Sequence, residues 1–87
     1  MIKIWDDEAW DDYINWQAED KKTLKRINAL IKDIDRNGCL MGIGKPESLK
    51  YELKGWYSRR IDDKNRLVYR IKDNCIEIAQ CKNHYND

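Results

Sequence analysis

The chain has 87 residues, with 17 basic and 16 acidic side chains (net charge +1), and is 41% apolar, 38% charged and 10% aromatic. Four tryptophans argue against a disordered polymer, which buries too little surface to offset its ordering entropy, and no apolar run approaches the roughly 18 residues of a membrane span. This length holds one modest core, so a single domain over residues 1–87 is expected.

The opening MIKIWDDEAWDD is too acidic for a signal peptide, and the three cysteines share no short repeated spacing. The expectation is a cytoplasmic protein with free thiols and no metal site. "IKIW" at 2–5 alternates like a short strand. Asp6 or Asp7 then caps a helix to about Ala18, with Trp10, Tyr13, Ile14 and Gln17 on one stripe. Asp20 caps a second helix, in which Leu24, Ile27, Leu30, Ile31 and Ile34 keep helical spacing until Asn37-Gly38 stops it. The short joint between them predicts an antiparallel helical hairpin.

Residues 38–55 hold all four glycines and the only proline, Pro46, and read as an irregular connection. "WYSRRI", "RLVYRI" and "CIEIAQC" follow as three strands separated by the turns "DDKN" and "KDN", so they should pair antiparallel. The fold class is α+β, in the order β-α-α-β-β-β, with the hairpin on one sheet face and the other face open. Strand parity places Tyr57, Arg59, Ile61, Leu67, Tyr69 and Ile71 toward the helices. Arg60, Arg66 and Arg70 then project from the open face unless a bulge reverses part of the pattern. Charge is uneven in the same sense: residues 45–72 carry nine bases against four acids. Guanidiniums on one face suit phosphate, which Arg grips in bidentate fashion.

Cutting RNA without a metal requires a base for the ribose 2′-OH, a cation for the phosphorane and an acid for the departing 5′-oxygen. Glu47 in the irregular loop, the sheet arginines and His84, the only histidine, are residue types of that kind. Taken singly, each has an ordinary reading as a solvated surface residue, as do Lys50 and Tyr85. One histidine with scattered cysteines gives no metal set, and "GIGKP" lacks the spacing of a phosphate-binding loop. A Cys81–His84 nucleophile pair is conceivable but has no visible orienting partner.

The segments "GKPESLK" (44–50), "SRRI" (58–61), "NRLVY" (65–69) and "HY" (84–85) resemble, in order and spacing, the YoeB family of bacterial toxins within the RelE-like group. "IW", "AWDDY", "WQ", "DKK", "KRIN" and "LIKDI" extend the resemblance through the helices. It implies a RelE-like α+β fold and ribosome-dependent endoribonuclease activity on mRNA at the A site, without cofactor or metal. The implied partners are mRNA on the bacterial ribosome and a cognate YefM-type antitoxin, with a homodimer as an option and no membrane. The implied roles are Glu47 as general base, Arg66 as phosphorane stabiliser and His84 as general acid. Lys50 and Arg60 would hold phosphates and Tyr85 would stack on the substrate base. Ser48, where the family often has a second proline, and Asn86-Asp87, beyond the usual final Tyr, depart from the pattern. The alternatives are a non-catalytic binding module of the same fold, such as a topoisomerase inhibitor, and a degenerate toxin kept for its antitoxin.

Overall fold

The computed structural model describes residues 1–84. Strand β1 (Ile2–Trp5) leads into helices α1 (Asp7–Glu19) and α2 (Lys21–Asn37). Strands β2 (Glu47–Ser48), β3 (Tyr57–Arg60), β4 (Arg66–Lys72) and β5 (Cys75–Gln80) follow, with a short 3-10 turn at Tyr51–Leu53. The strands form one sheet in the order β1-β5-β4-β3-β2. β3, β4 and β5 pair antiparallel as expected. β2, within the segment read as an irregular connection, is an additional strand antiparallel to β3, and β1 adds to β5 in parallel, so the sheet is mixed rather than antiparallel throughout. A parallel pair needs a crossover, and the helical hairpin supplies its first part.

The helices meet at a single residue. Asp20 accepts the N–H groups of Lys22 and Thr23 at 3.0 and 3.3 Å and the Thr23 hydroxyl at 2.8 Å, capping α2 where α1 stops. Gly38, at φ 85°, ends α2 with its N–H on the Ile34 carbonyl. α2 buries Ile27, Leu30, Ile31 and Ile34, as its stripe predicts. The α1 stripe differs: Ala9 and Trp16 are buried, while Trp10 and Ile14 are 47% and 45% exposed. Small Ala9 allows the helix to approach closely, and Trp16 Nε1 donates to the Cys81 carbonyl at 2.8 Å. Trp10 turns outward and forms an aromatic trio with Trp5 and Tyr13, which pack partly buried against the core.

Asp6 occupies the first cap position of α1, yet its carboxyl makes no capping bond. It hydrogen-bonds Glu77 on β5 instead. Burial, then the Glu77 contact and its charge, push the Asp6 carboxyl up to about 6, while that bond and Arg70 hold Glu77 below the usual carboxylate range. A carboxyl raised from 3.8 keeps its proton better when folded, so stability falls as pH rises from about 4 to about 6 and stays reduced above. Asp6→Asn is therefore expected to stabilise the fold at pH 7.5 by about 1 kcal/mol after solvent screening, with a higher Tm there, and to give no gain near pH 3. Thermal melts at both pH values check this, and an equal shift at both would contradict it.

Parity on the sheet follows the expectation, with one adjustment. Leu67, Tyr69, Ile76, Ile78 and Ile61 join the helices in one core. In β5, Ile78 opposes Tyr69 but Gln80 opposes Val68, which leaves Ala79 as a bulge. That extra residue turns Gln80 onto the second face and sends Cys81 into the core, where it is fully buried. The second face is not wholly open either. Ser58 and Val68 are 1% and 2% exposed, and Leu49 is buried on the strap that follows β2.

Candidate active site

Alternation and register set the second face in rows. Arg60 lies opposite Arg66, and Glu47, Ser58, Val68 and Gln80 form the next row, about 7 Å along. A third row has the Arg70 guanidinium 4.4 Å above the Trp56 ring and 2.8 Å from Glu77, which in turn meets Asp6.

The first two rows enclose a hollow of about 240 Å³ lined by Lys45, Glu47, Ser58, Arg60 and Arg66. Three cations surround one carboxylate and one hydroxyl. The Ser58 hydroxyl donates to Glu47 Oε1 at 3.4 Å. Arg66 begins β4 and donates through Nη1 to the Asp62 carbonyl at 2.9 Å, which anchors its guanidinium by one edge. Arg60 reaches Asp63 at 3.5 Å, and its buried Nε has no hydrogen-bond partner among the described residues. A buried donor left unmatched costs about 1–3 kcal/mol; an anion oxygen in the hollow is the natural acceptor.

Of the residues singled out in the sequence, Glu47, Arg60 and Arg66 come together here. Lys50 is exposed at the head of the 3-10 turn and does not line the hollow. Arg70 shares the face but is committed to Glu77 and Trp56. His84 lines a neighbouring hollow of about 320 Å³ with Gln80, Lys82, Asn83 and the α1 carboxylates Glu8, Asp11 and Asp12. The two hollows are joined through the backbone, because the Arg66 N–H donates to the Asn83 carbonyl at 3.0 Å, one residue before His84. Tyr85 lies outside the described residues.

Lys45 and Ser58 were not foreseen in the site. Ser58 shares parity with Arg60, which was a usable signal, whereas Lys45 is placed by loop geometry. The Cys81 option is closed by burial: its thiol is pushed up to about 12, and Sγ donates to the Ala9 carbonyl at 3.6 Å inside the core. Among the described residues no group of three or more His, Cys, Asp or Glu side chains is placed to hold a metal ion, and no helix is long and apolar enough to cross a membrane.

Residues 5–85 match the family described as the YoeB-like toxin of bacterial type II toxin–antitoxin systems. The toxin YoeB of Escherichia coli K12 is 51% identical over 85 residues, covering 98% of this chain and all of the relative. A chain of the heterotetrameric YoeB–YefM toxin–antitoxin complex of Staphylococcus aureus superposes with a TM-score of 0.92 at 54% identity, covering 98% of both chains. The YoeB dimer of the same organism gives the same TM-score, identity and coverage.

Proposed function

Because this chain belongs to the YoeB-like toxins of bacterial type II toxin–antitoxin systems, we propose that it is an endoribonuclease that cuts mRNA in the ribosomal A site. The observation that carries the reading is the hollow that sets Glu47 among Lys45, Arg60 and Arg66, beside the turn that ends in His84.

Glu47 takes the proton of a ribose 2′-OH, and the freed oxygen attacks the adjacent phosphorus. The phosphorane that forms carries extra negative charge on its equatorial oxygens. Arg66, held by one edge, turns its remaining donors to that charge, and the unmatched Arg60 Nε finds its acceptor there. His84 protonates the 5′-oxygen as its bond to phosphorus breaks. The products carry a 2′,3′-cyclic phosphate and a 5′-hydroxyl, and no metal takes part. Lys45 and Lys50 hold flanking phosphates, and Tyr85 stacks on a base.

A net charge of +1 gives little affinity for free RNA, since that affinity grows with the number of phosphates neutralised. The ribosome presents the strand and supplies the missing positioning. By analogy with the S. aureus YoeB–YefM assembly and YoeB dimer, the chain pairs with a YefM-type antitoxin and self-associates, acting in the cytoplasm.

Primer extension on an mRNA translated by purified bacterial ribosomes tests this. Stops at A-site codons are expected with the native chain and not with His84→Gln. No stops from folded native protein would leave a binding module or a degenerate toxin.

A further inference from the structure

We infer that Asn65 and Gln80 are positioning residues for His84, holding the acid through a turn that their side chains build. This deepens the reading of His84 as general acid and rests on it.

Regular pairing ends at Gln80, and residues 81–84 leave the sheet. Asn83 then adopts φ 64°, a left-handed conformation that Asn tolerates better than most residues. Both of its backbone groups are taken. Its N–H donates to Asn65 Oδ1 at 2.7 Å, and its carbonyl accepts from the Arg66 N–H at 3.0 Å and from Gln80 Nε2 at 3.3 Å. Gln80 Nε2 also donates to the Lys82 carbonyl at 3.1 Å. The peptide preceding His84 is thus fixed from two sides.

Asn65 is itself oriented. Its Nδ2 donates to both Asp62 carboxylate oxygens at 3.0 Å, and Asp62 Oδ1 accepts the N–H groups of Lys64 and Asn65 at 2.8 Å. The hairpin turn between β3 and β4 therefore sets two groups at once, since Arg66 Nη1 is bonded to the Asp62 carbonyl of that turn. Gln80 enters from the other side because the Ala79 bulge turns it onto the site face. Without that bulge its amide would lie in the core.

The experiment compares Asn65→Ala and Gln80→Glu with the native chain, with His84→Gln as control. Gln80→Glu keeps the side-chain shape but aims an acceptor at two carbonyls, and it leaves the β3–β4 turn intact. Three quantities are read: the single-turnover cleavage rate on programmed ribosomes, ribosome affinity, and amide order parameters at residues 83 and 84. Each variant is expected to lose about ten- to a hundredfold in rate with affinity unchanged, and to lose order at both amides. Unchanged order in both variants overturns the positioning whatever the rate does. Native-like cleavage by both variants, with His84→Gln inactive, overturns its catalytic importance. Native-like cleavage by His84→Gln instead removes the acid reading, and with it the catalytic half of the inference, while the order parameters still judge the turn.

Discussion

Glu47→Gln is expected to slow cleavage of ribosome-bound mRNA by about 10²–10⁴-fold, the range a positioned general base contributes. The substitution keeps an oxygen that can receive the Ser58 hydroxyl and removes the proton acceptor together with its negative charge. Glu47 is exposed on a two-residue strand, so stability should move by no more than about 0.5 kcal/mol. The loss should fall on the single-turnover rate and not on ribosome affinity. An mRNA with a 2′-deoxynucleotide at the scissile position should also stay whole, because the nucleophile is then missing. A native rate from Glu47→Gln would assign the base elsewhere, whereas cleavage of the deoxy substrate would remove 2′-OH attack itself.

The second large effect is on stability. Arg59 is fully buried, and each of its five N–H donors is engaged. Nε donates to the Tyr69 hydroxyl at 2.9 Å, and Nη1 donates to Asp33 and to the Ile43 carbonyl. Nη2 donates to the carbonyls of Gly38 and Met41 at 2.8 and 2.7 Å. The hydrogen bond from Arg59 holds the Asp33 carboxyl below the usual carboxylate range. Gly42 lies so close that an added Cβ would meet Asp33 Oδ2 at 1.8 Å. This arginine shapes the loop from Gly38 to Gly44, whose last carbonyl accepts the Arg60 N–H at 2.7 Å and leads into Lys45 and Glu47.

Arg59→Met is expected to cost about 3–5 kcal/mol, the usual price of breaking a buried charge pair from one side. Stabilities near 0.05–0.15 kcal/mol per residue leave an 87-residue chain little reserve against that. Adding Asp33→Leu should recover only part of the loss, because three carbonyls stay unmatched. Urea unfolding of the single and double variants checks both statements. A loss below about 1 kcal/mol would mean that water replaces the guanidinium.

Local rules made much of this legible. Helical spacing found the buried face of α2, and period-two alternation put Arg60 and Arg66 on one side and Arg59 on the other. What escaped is decided by partners distant in sequence. Asp6 reads as a helix cap but spends its carboxyl on Glu77, 71 positions later. Trp16 is drawn inward by the Cys81 carbonyl, against the stripe through Trp10 and Ile14. The Ala79 bulge has no signature of its own, since it exists only in the register between β4 and β5. Of the site, the two guanidiniums could be placed together from their strands, whereas Glu47, read in an irregular connection, was joined to them only by the family resemblance. The residues that hold His84 could not, because Asn65 and Gln80 look like ordinary turn and strand-end polar groups.

The parallel seam between β1 and β5 bears on how the toxin is made. Ile2 pairs with Cys75 and Trp5 with Ile78, so a segment that leaves the ribosome early has no sheet partner until one translated far later emerges. Trp16 likewise waits for Cys81. Contacts so remote in sequence are slow to close. A nascent chain can form its helical hairpin, but it lacks the strand that seats both the hairpin and the turn before His84. The candidate site therefore assembles only after β5 and the turn that follows it have been made.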